Sequence, residues 1–256
     1  MRSLSLLHLV TLAVLAGQAL SASEPAEELI KKGDVYYAKL QPSEALQYYL
    51  PAEKLDPTNA QLMVKIARQY RHLMSEAPQN EEKKRLGNIA VTYAERAVSL
   101  APNDPETHLA AAISYGKIQP LLSNKEQFNR CRMIRAEADR VIALAPDNDL
   151  AWQVLGRWYF NLADVSAVKR ALAQVAYGKL PTAKYEDAER CFTKAIELNP
   201  NRLMHYIELG RTYAQMGRTD EARRCINKGL ALPSTEKDDP ETKVQGREIL
   251  QRLAKN

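Results

Sequence analysis

The chain has 256 residues, enough for one or two domains, with 36 Lys and Arg against 31 Asp and Glu and a formal net charge of +5. Aliphatic residues, Ala and Tyr are plentiful, Phe is scarce, and no Val/Ile-rich runs suggest strands. Scattered surface Lys and Arg account for so mild a basicity, and no basic tract interleaved with aromatics marks the chain for nucleic acid.

Residues 1–23 differ in kind from the rest. Arg2 is their only charge, residues 4–20 are largely apolar, and Ala19, Ser21, Ala22 and Ser23 form a small-residue exit. This is the pattern of a secretory signal peptide, with cleavage expected near residues 19–23. The apolar run is also marginally long enough to span a bilayer, so an uncleaved membrane anchor is the alternative. No Cys follows the run to carry a lipid anchor. The expectation is a mature chain, residues 24–256, working outside the cytoplasm, periplasmic or secreted.

Beyond residue 24, four Leu-x-Pro stops punctuate the sequence: Leu55-Asp56-Pro57, Leu100-Ala101-Pro102, Leu144-Ala145-Pro146 and Leu198-Asn199-Pro200. A proline just past a helix end cannot continue the helix, so these mark boundaries. Register counted from each stop gives about five repeats, at 26–59, 60–104, 105–148, 149–202 and 203–236. The first places Leu29, Gly33, Tyr36, Ala45, Tyr49 and Ala52 without a gap. The second runs through Met63, Ile66, Ala67, Tyr70, Ala90, Ala94 and Ala97, the third through His108, Ala111, Ala112, Tyr115, Ile134, Ala138 and Val141. The fourth reads Trp152-Gln153-Val154-Leu155-Gly156-Arg157-Trp158-Tyr159, then Ala188, Phe192 and Ala195. That W-x2-L-G-x2-Y string is the first-helix signature of a tetratricopeptide (TPR) repeat. The fifth, with Tyr206, Leu209, Gly210, Tyr213, Ala222, Ile226 and Gly229, fits without a gap.

Repeats two to four exceed the usual length of about 34 residues, with the excess between the two helices. In residues 79–99, Leu86, Ile89, Ala90, Tyr93 and Ala97 keep helical spacing, so the second helix is read as extended by several turns. In the fourth repeat, Leu162, Val165, Val168, Leu172, Val175 and Ala176 form an apolar stripe with Lys169, Arg170 and Lys179 against Asp164. This insertion either packs on the solenoid, lidding its groove, or lies on an anionic membrane surface. Residues 240–254, with Val244, Ile249, Leu250 and Leu253 on one side, are read as a capping helix. The fold class is therefore all-α, a TPR-like α-solenoid of about five helical hairpins with a C-terminal cap.

No motif signals catalysis. G-x-S-x-G, H-E-x-x-H, C-x-x-C and phosphate-loop patterns are all absent. The three Cys do not suggest a disulfide, because Cys191 and Cys225 hold equivalent places in successive repeats, roughly 8–10 Å apart. His108 falls on a core position. No metal or cofactor is expected.

The candidate binding residues are arginines. In a TPR the first helix lines the concave groove, and the residue after the signature Gly or Ala points into it. Arg68, Arg157 and Arg211 share that register, with Arg71 a turn beyond the first and Phe160 and Ile207 on the same helices. Their planar forks suit carboxylate or phosphate. Asp34 and Ile113 take the register in repeats one and three and break the stripe. Either the arginines line a groove for an anionic ligand, or each pairs with an acid of the neighbouring repeat.

Two stretches resemble the regulator of microtubule dynamics family of TPR-like proteins. One is Leu155-Gly156-Arg157-Trp158-Tyr159 with the insertion and Tyr177-Gly178-Lys179-Leu180-Pro181. The other is Tyr185-Glu186-Asp187-Ala188 through Lys194-Ala195-Ile196-Glu197-Leu198-Asn199-Pro200. Ala231-Leu232-Pro233 with Glu236-Lys237-Asp238-Asp239 also looks like that family's ending. The resemblance implies an α-solenoid without catalysis, linked in eukaryotic relatives to microtubules and organelle contacts, where the domain can hold phospholipid. The N-terminus departs from that pattern and looks more like secreted bacterial relatives. Two functions follow as expectations. The first is a protein-interaction scaffold whose concave groove takes a partner segment. The second is a phospholipid-binding module with Arg157 and Arg211 at the headgroup and residues 162–181 as an apolar wall.

Overall fold

The four Leu-x-Pro stops set the architecture. In the computed structural model, which describes residues 25–255, each residue preceding the proline leaves the helix with nearly the same backbone. Asp56, Ala101, Ala145 and Asn199 have φ/ψ of −133/77, −138/73, −143/81 and −141/86. The proline ring disfavours the α conformation in its predecessor, so the chain turns there. The next helix is then started by an acceptor side chain in three of the four turns. Asn59 accepts from the Leu62 amide, Asp104 from Glu106 and Asn148 from Ala151.

Twelve α-helices result among the described residues. They pair as α1 (Ala26–Ala38) with α2 (Pro42–Leu55), α3 (Ala60–Glu76) with α4 (Asn80–Leu100), and α5 (Pro105–Ile118) with α6 (Asn124–Leu144). The fourth pair is α7 (Asp149–Ala163) with α9 (Tyr185–Leu198), and the fifth α10 (Leu203–Gln215) with α11 (Thr219–Ala231). Between α7 and α9 lies α8 (Ala167–Tyr177), and α12 (Asp239–Leu253) closes the chain against α10 and α11. The chain is thus an all-α solenoid of five TPR-like hairpins with a cap. Residues 1–23, read as a signal peptide, lie outside the described residues.

The extra length of repeats two and three is continuous helix, since α4 and α6 each run 21 residues. Repeat four differs. Its stripe is not one helix: α7 ends at Ala163, and Ser166 caps a new helix by accepting from the Lys169 amide.

Within each hairpin, two positions trade volume. Where the first helix has Gly, the second carries a large side chain: Gly33 with Tyr49, Gly156 with Phe192, Gly210 with Ile226. A Cβ on Gly156 would stand 2.7 Å from the Phe192 ring. At the equivalent places of repeats two and three, Ala67 and Ala94, and Ala112 and Ala138, are all fully buried. Small residues share the seam equally there.

The signature position also serves the preceding turn. Trp152 Nε1 donates to the Pro146 carbonyl at 2.9 Å, Tyr206 Oη to Pro200 at 3.0 Å, and His108 Nε2 lies 2.9 Å from the Pro102 carbonyl. His108 is a packed residue, its Nδ1 against Glu137. The thiols of Cys131, Cys191 and Cys225 are all free.

The cap departs from expectation in one respect. Ile249 is buried, but Val244 is exposed, and Gly246 takes the contact instead, against the Ile207 side chain. Ile207 itself is buried between α10, α11 and α12, so it belongs to the core and not to the groove.

Candidate ligand groove

First helices of successive repeats pack on one another, α3 on α5, α5 on α7 and α7 on α10, and so form the inner wall of the solenoid. The arginine register lies on that wall, but its members have different surroundings. In repeat one, Asp34 accepts from Tyr49 and from Lys65, both at 2.6 Å. Arg68 donates to Tyr37 Oη at 2.5 Å and lies over its ring. Ile113 packs against the core. Arg157 Nε is 3.4 Å from Glu208 Oε1, and Arg211 Nη2 is 2.8 Å from Glu208 Oε2.

Glu208 is buried and shared by the two arginines from adjacent repeats. Arg211 also lies 4.0 Å over the buried Phe160 ring, so Phe160 acts as a platform under a guanidinium and lines no open groove. Burial lowers the Arg211 pKa, with Glu208 opposing the shift. The Arg211–Glu208 pair is close but poorly aligned for a hydrogen bond. Arg157 therefore follows the acid-pairing alternative, whereas Arg211 pairs within its own helix, three residues from Glu208. The half-exposed Arg157 keeps a face toward the groove.

The second and third repeats are otherwise. Arg71 is buried, hydrogen-bonded through Nη1 to Ser114 Oγ at 3.0 Å, and has no carboxylate partner among the described residues. Burial, with Arg68 adding to it, lowers its pKa to about 9. Beside it His72 is pushed down to about 4 by burial, and its Nδ1 has no hydrogen-bond partner among the described residues. Lys117 at the end of α5 donates to Ser75 Oγ at 2.7 Å. Into this basic cluster comes Asp238, from the segment between α11 and α12, 2.6 Å from Lys117. Burial would raise the Asp238 carboxyl, but the charge and hydrogen bond of Lys117, with His72, outweigh it and hold it below the usual range. Lys237 next to it donates to the Leu40 carbonyl at 3.0 Å and pairs with Glu76 at 2.5 Å. Glu236 pairs with Arg202 at 3.0 Å.

A protein-family model described as regulator of microtubule dynamics protein 1-3 matches residues 29–254. This chain belongs to that family. Regulator of microtubule dynamics protein 2 from Macaca fascicularis is 27% identical over 75% of this chain and 47% of its own length. Protein 1 of the mouse is 24% identical over 90% and 75%. The chain spans about half the length of the protein 2 relatives it matches. A thermophilic TPR protein of Thermus thermophilus shares the fold, with a TM-score of 0.64 at 17% identity over 88% of this chain and 99% of that one.

The family-like Gly156-Arg157-Trp158-Tyr159 string now has a job for each residue. Gly156 admits Phe192, Arg157 faces Glu208, Trp158 Nε1 donates to the Cys131 carbonyl at 2.7 Å, and Tyr159 Oη accepts from Arg135. The insertion beyond it is corrected by the structure. Leu162 is buried and Val165 partly so, whereas Val168, Leu172 and Val175 are 70%, 66% and 90% exposed. These three form one face of α8 that neither packs on the solenoid nor walls a pocket. The helix is fastened at its ends instead. Arg170 donates to the carbonyls of Leu162 and Pro181 at 2.6 and 2.9 Å, and Tyr177 meets Phe128 on α6. With Arg157 and Arg211 on Glu208 and α8 facing outward, the two halves of the anticipated phospholipid pocket do not meet.

Glu208, Lys117, His72 and Asp238 are groove residues that sequence reasoning missed. Glu208 stands beside the signature Leu209-Gly210; its i,i+3 spacing from Arg211 is a local signal that could have found it, but its reach to Arg157 is not. Asp238 stands in the family-like Glu236-Lys237-Asp238-Asp239 stretch, but nothing in that stretch says that it reaches Lys117.

Proposed function

We propose that this regulator of microtubule dynamics family member is a non-catalytic scaffold whose concave wall holds a segment of a partner protein. The observation that supports the reading is the inner wall itself, where rigidly packed first helices present Arg68 and the half-exposed Arg157 to one side. Arginine forks on a preorganised surface recognise extended polar segments at low entropic cost. Photo-crosslinkers at positions 68 and 157, compared with position 194 on the outer helix α9, test it. Protein adducts should form from the first two and not from the third, and an even distribution would count against the groove.

A second reading rests on α8. Residues 165–184 contain Lys169, Arg170, Lys179 and Lys184 and no acid, beneath three outward apolar side chains. Such a surface suits an anionic membrane. Flotation with phosphatidylserine-containing vesicles should carry the protein, and Leu172→Asp should release it with the fold intact. If Leu172→Asp floats as well as the parent, α8 is not a membrane contact.

The site of action is proposed to be extracytoplasmic, after cleavage near residues 19–23. The intact mass of the exported protein decides between that and an anchored form. A microtubule role, named for the relatives, is a lesser alternative that co-sedimentation with microtubules addresses.

A further inference from the structure

The contacts of residues 236–238 have a common character. Their side chains pair electrostatically with groups elsewhere on the solenoid, Glu236 with Arg202, Lys237 with Glu76 and the Leu40 carbonyl, Asp238 with Lys117, while the backbone, among the described residues, is tied only to Asp239 and Thr242 at the start of α12. The backbone carbonyl of Leu40 is 197 positions away in sequence. No large apolar residue of this loop is buried. A strap held by charge in this way can leave its site without exposing core.

The site beneath the strap is basic beyond what the strap neutralises. Arg68, Arg71 and Lys117 carry three fixed positive charges on facing first helices, and Asp238 is the acid set against them. Arg71 is buried without a carboxylate among the described residues, supported only by Ser114 and, weakly, the Ala110 carbonyl. Asp238 offsets part of the Arg71 charge from a distance but no carboxylate hydrogen-bonds the guanidinium, and an acid brought into contact with so buried a group gains more than an acid on an open surface. Ser75 and Ser114 accept from Lys117 and Arg71 and so hold the two cations in place.

We propose that Arg68, Arg71, His72 and Lys117 form a carboxylate-recognition site for an extended acidic segment of a partner protein, and that Asp238 occupies it as a built-in substitute, with Lys237 fastening the strap beside it to Glu76 and the Leu40 carbonyl. The inference rests on the scaffold reading and narrows it to repeats two and three and to acidic partners. Charge complementarity selects the occupant, and Asp238 already marks where one carboxylate sits. A partner bearing several acids contacts Arg71 and Arg68 as well as Lys117, whereas the single Asp238 forms an ion pair with Lys117 and acts on Arg71 only from a distance. The partner therefore displaces the strap.

The test uses the full mature chain and a fluorescein-labelled Asp/Glu-rich peptide, read by anisotropy at low and moderate salt. Binding is expected, with affinity falling as salt rises. Asp238→Asn and Lys117→Gln break the same ion pair, so a purely structural role would move both in one direction. As a substitute and its receptor they must diverge. Asp238→Asn should tighten peptide binding, and Lys117→Gln should weaken it, each by roughly tenfold, the scale of one charge-assisted hydrogen bond. Hydrogen exchange of residues 233–238 should rise when peptide is added.

Parallel shifts in the two variants, or no peptide binding to Asp238→Asn, would overturn the proposal. So would binding of phosphatidylserine vesicles at this site in place of the peptide. Adducts from the crosslinker at position 157, outside this site, report on the groove independently. If those form while the acidic peptide fails, the scaffold stands and the carboxylate site does not.

Discussion

Gly156 and Glu208 represent two kinds of constraint at the scale of single residues. Gly156 is needed for space. An added methyl would meet the fully buried Phe192 ring at 2.7 Å, where the ring has no free volume to enter. Ala is the better helix former by about 1 kcal/mol, but overpacking costs about 1–3 kcal/mol. Gly156→Ala should therefore lower stability by roughly 1 kcal/mol in urea unfolding. The double change Gly156→Ala with Phe192→Ala reproduces the Ala/Ala seam of repeats two and three and should recover part of the clash, though not the lost aromatic burial. Glu208 is needed for charge. It is the shared counter-ion of Arg157 and the largely buried Arg211. Glu208→Gln should cost about 2–4 kcal/mol, because it leaves a buried guanidinium unpaired. A urea midpoint unchanged from the parent would mean that Arg211 finds water instead.

Among the elements, α8 and the α11–α12 strap are the parts least bound by core. The apolar face of α8 contributes little to stability, so Leu172→Asp should leave the thermal midpoint within about 1 °C, consistent with surface changes of under about 0.5 kcal/mol. The strap region is sensitive to acid in two successive windows. Burial holds His72 at about 4 when folded, against about 6.5 unfolded. The unfolded chain thus binds the proton first, and stability contributed by neutral His72 is full above about pH 6.5 and falls between there and about pH 4. Asp238 is depressed in the folded state, so its contribution is present above about pH 3.8 and is lost as pH falls further. His72 faces Asp238, Arg71, Lys117 and Arg68, and Asp238 faces Lys117, His72 and Arg71. Urea titrations at about pH 7 and pH 5 should differ, and His72→Gln should flatten that difference. An equal pH slope in the variant would assign the effect to other groups.

For the molecule as a whole, the strap ties the last repeat to the first three through Lys237 and Asp238. An open solenoid changes its pitch easily because each repeat contacts only its neighbours. The strap adds contacts between distant repeats, and so should hold the curvature. The combined change Lys237→Ala with Asp238→Ala should raise the radius of gyration in small-angle X-ray scattering while leaving helix content by circular dichroism unchanged. Identical scattering profiles would mean that hairpin packing alone sets the pitch.

The hairpins were legible in the order of residues. Leu-x-Pro stops, Asn and Asp caps and the Gly or Ala register act within a few residues of each other, so local chemistry fixes them. Arg68, Arg71, Arg157 and Arg211 could be assigned to first helices for the same reason, because register within a helix is a local property. The company each arginine keeps was not legible. Glu208 claims Arg157 across the seam between adjacent repeats, besides Arg211 on its own helix. Asp238 reaches Lys117 from beyond α11, and Lys237 reaches Leu40 from 197 positions away. Whether a charged side chain is neutralised within the protein or offered to a ligand depends on such distant pairings. Whether a stripe like that of α8 finds a surface to cover is equally remote from its own residues. Both are decided by the superhelical path of the whole chain, which brings together groups that no local rule connects.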